Sequence, residues 1–170
     1  TVICILMSNK IERYLTKSRM KIGLECPKKL YYYEDYKSQD NGNEFLEILA
    51  EGGYQVGELA KYYYKFHYPD YHYVDITSLD YEKSIRATNE ALEYENVVIA
   101  EPAITFDNFF IRVDVLVKKG NTIQLVAVKA KSCTSDDEND FLSFKKSGVS
   151  IQSIWRPYLA DVAFQTYVTS

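Results

Sequence analysis

Three runs of alternating side chains, separated by two tight-turn dipeptides, occupy the middle of the chain and set its architecture. Val97 to Phe106 ends at Asp107-Asn108, Phe109 to Lys118 ends at Gly120-Asn121, and Ile123 to Ala130 follows. Period-two alternation bounded by such turns describes strands joined as hairpins. The runs are expected to form an antiparallel three-strand meander over about residues 97–130, which excludes an all-helical fold. In the second run Phe109, Ile111, Val113, Val115 and Val117 are expected on one face, and Phe110, Arg112, Asp114 and Leu116 on the other. In the third, Leu125, Ala127 and Lys129 share a face. Glu101, Asp114 and Lys129 therefore stand inside otherwise apolar strands, where charge is costly to bury and marks a candidate site.

The flanking segments read as helices. Thr16 or Ser18 caps one that runs to about Glu25, and Pro27 opens a second, PKKLYYYED. From Glu44, a third carries Phe45, Ile48, Leu49, Val56, Leu59, Ala60 and Tyr63 at helical spacing, with Gly52-Gly53 as a break or a point of close backbone approach. Thr77 with Asp80 forms a weak capping box before a helix that presents Ile85, Thr88 and Leu92. Pro157 opens the last helix, PYLADVAFQTYV. This order gives an α/β fold: the meander lies within a mixed sheet flanked by helices. The 170 residues suffice for one core, so the chain reads as a single domain over 1–170, either complete or a piece of a longer protein.

A net charge of −4 rules out a global basic field but leaves room for a local basic groove. Cys4, Cys26 and Cys133 are scattered and form no CxxC pair, which points to reduced thiols in a cytoplasmic protein. No run approaches the ~20 apolar residues of a membrane span. The runs Lys28-Lys29-Leu30-Tyr31-Tyr32-Tyr33 and Lys61-Tyr62-Tyr63-Tyr64-Lys65-Phe66 interleave rings with amines. Rings stack on bases and amines bind phosphates, so Lys28, Lys29, Tyr32, Lys61 and Lys65 are candidate DNA contacts. Helical spacing alone would place half of those rings in the core.

Hydrolysis of a phosphodiester requires a divalent cation, an activated water and neutralisation of phosphate charge. Carboxylates on strands hold Mg²⁺ or Mn²⁺ by hard oxygens, and a nearby Lys orients the water or offsets charge. Asp114, followed by Val126-Ala127-Val128-Lys129 on the next strand and preceded by Glu101 on the one before, resembles the core of the PD-(D/E)XK nuclease superfamily. The likeness is to its RecB-like branch, which includes the CRISPR-adaptation exonucleases. SRMKIGLECPKKLYY resembles that branch's N-terminal helix pair. GYQVGELAK resembles the helix that packs against the site. YLADVAFQTYV resembles the helix after the third strand, where Gln165 matches the Gln of a Q-x-x-x-Y motif and Thr169 stands in place of the Tyr. The likeness spans Thr16 to Val168. It implies a restriction-endonuclease-like core and a metal-dependent DNA nuclease. Asp114, Glu101 and the Val128 carbonyl would hold Mg²⁺ or Mn²⁺, Lys129 would serve the attacking water or the phosphate, and Gln165 would position substrate or Lys129.

One position departs from the pattern: Ala127 stands where the family has Glu. It is either an introduced Glu→Ala change or a natural Ala in a non-cleaving nucleic-acid-binding or scaffolding domain on the same fold. The family character of its neighbours favours the former. Either way, the chain as it stands is expected to be nearly inactive. Some RecB-like nucleases carry an iron–sulfur cluster whose first ligand lies where Cys26 does. A cubane needs four thiolates, and no Cys follows Cys133, so a cluster is not supported.

Overall fold

The computed structural model describes residues 14–33, 44–132, 140–145 and 148–170. Cys4, Cys133 and the side chains of Phe45, Ile48 and Leu49 lie outside the described residues. The first elements are a short strand, β1 (Leu15–Thr16), and helices α1 (Lys17–Glu25), α2 (Pro27–Tyr31) and α3 (Glu44–His67). Next come β2 (His72–Asp75), α4 (Tyr81–Leu92), β3 (Asn96–Ala100), β4 (Ala103–Phe106), β5 (Phe109–Arg112), β6 (Val115–Lys119) and β7 (Thr122–Val126). The hairpin β8 (Leu142–Lys145) and β9 (Gly148–Ile151) precedes the last helix, α5 (Arg156–Thr169). The class is α/β, with mixed sheets flanked by helices.

The meander forms, but each of its two long strands is broken once, at the same level. One sheet runs β2-β3-β6-β7, with β2 parallel to β3 and the rest antiparallel; the other runs β1-β5-β4, with β1 parallel to β5. The two meet where Glu101-Pro102 faces Val113-Asp114. There Glu101 N donates to the Asp114 carbonyl (3.1 Å) and Val113 N to the Pro102 carbonyl (3.0 Å). Glu101 adopts φ 56°, a left-handed conformation that costs a non-glycine residue energy and recurs at functional sites.

This kink corrects the expected faces. Ile111 and Val113 pack with Ile104 and Leu125 beneath α5, as predicted for one side of the strand. Beyond Asp114 the sides exchange. Leu116 joins Ile99, Ile76 and Ala91, again beside Ile104 and Leu125, whereas Val115 and Val117 turn with Val98 toward Tyr64, Tyr68 and Tyr71. A straight strand cannot do this, because its side chains alternate strictly.

The helices are where the spacing put them, except that α2 stops at Tyr31 within PKKLYYYED, and three further local corrections apply. Thr16 caps α1 by accepting from Arg19 N. α3 runs unbroken through Gly52-Gly53, and among the described residues nothing approaches either glycine closely. Of its residues at helical spacing, Val56 and Ala60 are half-buried but Leu59 and Tyr63 are exposed, while Tyr64 packs on the sheet and Lys61 reaches Asp75. The cap of α4 is Asp80, whose carboxylate accepts from Lys83 N (2.9 Å), rather than Thr77. α4 meets the sheet through small residues, Ser84, Thr88 and Ala91. Thr88 Oγ1 accepts from Ala103 N (2.9 Å), which satisfies a buried amide just past the kink. Among the described residues no helix is long and apolar enough to cross a membrane.

Candidate active site

The ladder between β6 and β7 ends at Val115–Val126. Ala127 to Lys131 then leave the sheet, and the Asp114 side chain takes over from the backbone: its Oδ2 accepts from Val128 N at 2.6 Å. That bond draws the third strand across the kink. Asp114 Oδ2 lies 3.7 Å from Lys129 Nζ. Glu101 lines the same cleft as Asp114. The sequence-predicted residues Glu101, Asp114, Ala127, Val128 and Lys129 thus converge on one break in the sheet. Ala127 sits between the last paired residue of β7 and the amide bound by Asp114.

Gln165 enters through an intermediary. It is 2% exposed, and its Nε2 donates to Asp161 Oδ1 (3.1 Å), one helical turn earlier on α5. Asp161 is fully buried, and its Oδ2 lies 3.1 Å from Lys129 Nζ. Gln165 therefore reaches Lys129 only through Asp161. Thr169, at the position of the family's Tyr, bonds back to the Gln165 carbonyl within the helix.

Asp161 and Lys17 had no role in the sequence reading. Lys17 Nζ lies 3.9 Å from both Asp114 Oδ1 and Asp161 Oδ1, and donates to the Arg112 carbonyl at 3.4 Å. Lys21 adds a third amine, 3.7 Å from Asp161 Oδ2. Two carboxylates thus face each other across two ammonium groups, Lys17 on one side and Lys129 on the other. Burial alone would raise the Asp161 pKa, but Lys17, Lys129 and Lys21 outweigh it and hold the carboxyl below its ordinary value. The available signal for Asp161 was a lone acid four residues before Gln165 in an apolar helix. Lys17 gave no signal beyond following a cap.

Arg112 pairs with Glu101 rather than with Asp114. Its Nε donates to the Glu101 carbonyl (3.3 Å) and lies 3.9 Å from Glu101 Oε2, while Nη2 donates to the carbonyls of Ile76 and Ser78. The guanidinium therefore ties the kink to the segment before α4. Burial raises the Glu101 pKa above the ordinary glutamate value. Lys61 opposes that shift, Asp114 reinforces it, and Arg112 and Lys17 oppose it.

The proposed DNA-contact residues divide. Lys28, Lys29 and Tyr32 lie exposed on and just after α2, beside a cleft of about 580 Å³, and Lys29 pairs with Glu25 (3.0 Å). Lys65 is exposed, with its amine 5.1 Å from the centre of the Tyr73 ring. Lys61 is committed inward, to Glu58 (2.8 Å) and Asp75 (3.5 Å). Cys26 is a half-buried free thiol at the α1–α2 junction.

Asp161→Asn tests how much the buried ion network stabilises the fold. The amide keeps the shape and can still accept from Gln165, but it leaves Lys17, Lys21 and Lys129 short of an anion. These amines are partly exposed, so the expected loss at pH 7 is about 1–3 kcal/mol, at or below the figure for breaking a fully buried pair. Because the folded pKa is depressed, this contribution is complete above the unfolded value near ~4. It disappears as pH falls through the folded value. Urea unfolding of both proteins from pH 7 to pH 3 should show the difference shrinking on the acid side.

No family model matches the chain, and no curated protein or solved structure matches it.

Proposed function

We propose that the chain is a metal-dependent DNA nuclease domain with a restriction-endonuclease-like core of the PD-(D/E)XK, RecB-like kind, inactive as it stands because Ala127 supplies no carboxylate. One observation carries this reading. A kink in the central hairpin brings Glu101 and Asp114 to one cleft, and beside the Val128 N–H bound by Asp114 the amine of Lys129 lies 3.7 Å from the same carboxylate. The donors would be hard oxygens, the Glu101 and Asp114 carboxylates with the Val128 carbonyl that the resemblance implies, which suit Mg²⁺ or Mn²⁺ and not a soft metal. When bound, such a cation supplies an activated water and a positive charge at the phosphate. Asp114 and Glu101 would hold it; Lys129, positioned by Asp161, would offset charge as the transition state forms. Ala127 itself favours the alternative, a non-catalytic nucleic-acid-binding or scaffolding domain with the same groove.

The nuclease reading and the nucleic-acid-binding form of the alternative both expect DNA binding by the chain as it stands, whereas a scaffolding domain does not. A labelled oligonucleotide should bind at low salt and weaken as salt rises. The log–log slope should be about −0.7 to −0.9 per phosphate contact. Replacing Lys28 and Lys29 together should reduce that slope. No binding at low salt, or affinity independent of salt, would remove the DNA reading. The gain of cleavage on Ala127→Glu then separates enzyme from binder.

A further inference from the structure

The cleft beside the carboxylates has a volume of about 360 Å³, and its walls include Lys17, Ser18, Tyr81, Glu101, Arg112 and Asp114. Five of these fit a phosphodiester and its chemistry, whereas Tyr81 has no part in it. Tyr81 is the first residue of α4, fixed there by the Asp80 cap one position earlier. Its ring stands edge-to-face with Phe110 (centroids 4.4 Å apart, 74° between planes) and with Tyr14 (5.7 Å, 66°). Tyr81 is nonetheless 47% exposed. A ring that needed only to fill the core would be covered. This one is held from two sides and left open in the cleft that contains Asp114.

The cations nearby are placed to complement it. Lys17 is held by contacts of 3.9, 3.9 and 3.4 Å, all longer than a tight charge-assisted bond. Its amine can therefore take on a phosphate oxygen while staying beside Asp161. Ser18 adds a hydroxyl on the same wall. A ring and an amine lining one cleft is the arrangement by which proteins take a single nucleotide, with the base stacked and the phosphate paired. The volume is at the small end of the range of about 300–1,000 Å³ for ligand sites, room for one nucleotide and not for a helix.

Building on the nuclease reading, we propose that Tyr81 is the stacking platform for the nucleobase next to the phosphate that meets Asp114, and that Lys17 and Ser18 receive that nucleotide's phosphate. A base stacked on a side chain has left its own helix. The preferred substrate is therefore single-stranded DNA or a frayed end, not an intact duplex.

The test uses the chain as it stands, without divalent metal, and two fluorescein-labelled probes: a twelve-nucleotide oligo-dT and a blunt duplex of equal length. Single-strand affinity should exceed duplex affinity. Tyr81→Leu should weaken single-strand binding by about 5- to 100-fold, the size of one lost base stack, and leave the weaker duplex binding nearly unchanged. Tyr81→Phe and Tyr81→Trp should keep single-strand affinity within about threefold, because stacking needs the ring and not the hydroxyl. Lys17→Met should reduce the salt slope by about one. Melting curves confirm that each variant is folded. If Tyr81→Leu binds like the parent, or Tyr81→Phe loses as much as Tyr81→Leu, the stacking platform is refuted and the nuclease reading stands. If the parent binds neither probe at low salt, both fall.

Discussion

Ala127→Glu should turn the chain into a nuclease, and Asp114→Ala in that background should silence it again. Ala127 leads into the amide that Asp114 holds at 2.6 Å, so the new side chain leaves the backbone beside Asp114. The backbone needed to present it is already in place, since Val126 is paired with Val115 and Val128 with the Asp114 side chain. Ala127 is only half-buried, which leaves the longer side chain an outlet. A third carboxylate would complete a set of hard ligands, and the rate should rise on the order of 10²–10³-fold or more with Mg²⁺ or Mn²⁺. Asp114→Ala removes a ligand and also frees the Val128 amide, so its effect should be at least as large as the gain. Time courses on single- and double-stranded DNA, with a chelator as control, read both effects.

The second large effect is expected at Lys129. In the Ala127→Glu background, Lys129→Ala should remove cleavage by about 10²-fold or more and leave metal affinity almost unchanged, because the ammonium brings no metal-binding oxygen. The fold should survive, because Asp161 keeps Lys17 at 3.9 Å and Lys21 at 3.7 Å as counter-charges after Lys129 is gone. That feature separates Lys129 from Asp161, whose loss takes a counter-charge from Lys21 and leaves Lys17 and Lys129 with Asp114. Full activity in Lys129→Ala with unchanged Mn²⁺ affinity would reduce Lys129 to a surface strand residue.

The elements were legible because alternation, turn dipeptides and Thr16 act locally. The kink was not. Val115, Leu116 and Val117 are all buried, so the strand is covered on both sides and alternation there carries no information about faces. The break is encoded instead by Pro102, which brings no amide to the ladder, next to Glu101 in a left-handed conformation. Strand pairing across the hairpin brought Glu101 opposite Asp114, and the resemblance in the sequence named the rest of the core. What it missed lies on elements distant in sequence. Lys17 and Asp161 meet Asp114 and Lys129 because α1 and α5 pack on each other and on β5, a contact that no local spacing encodes. α3 was legible in part: Val56 and Ala60 are half-buried as their spacing suggests, but Leu59 and Tyr63 face out, and Tyr64 and the stem of the ion-paired Lys61 pack inward.

The kink is proposed to hold a divalent cation for phosphodiester hydrolysis and to lack one ligand at position 127. Mn²⁺ titration by calorimetry, with DNA cleavage followed in the same samples, tests it for the parent, Ala127→Glu and Ala127→Glu/Asp114→Ala. Weak Mn²⁺ binding is expected for the parent, and at least about tenfold tighter binding for Ala127→Glu. Cleavage should rise with metal occupancy, and both gains should vanish in the double variant. Equal Mn²⁺ affinity in all three proteins, with no cleavage at saturating metal, would contradict it.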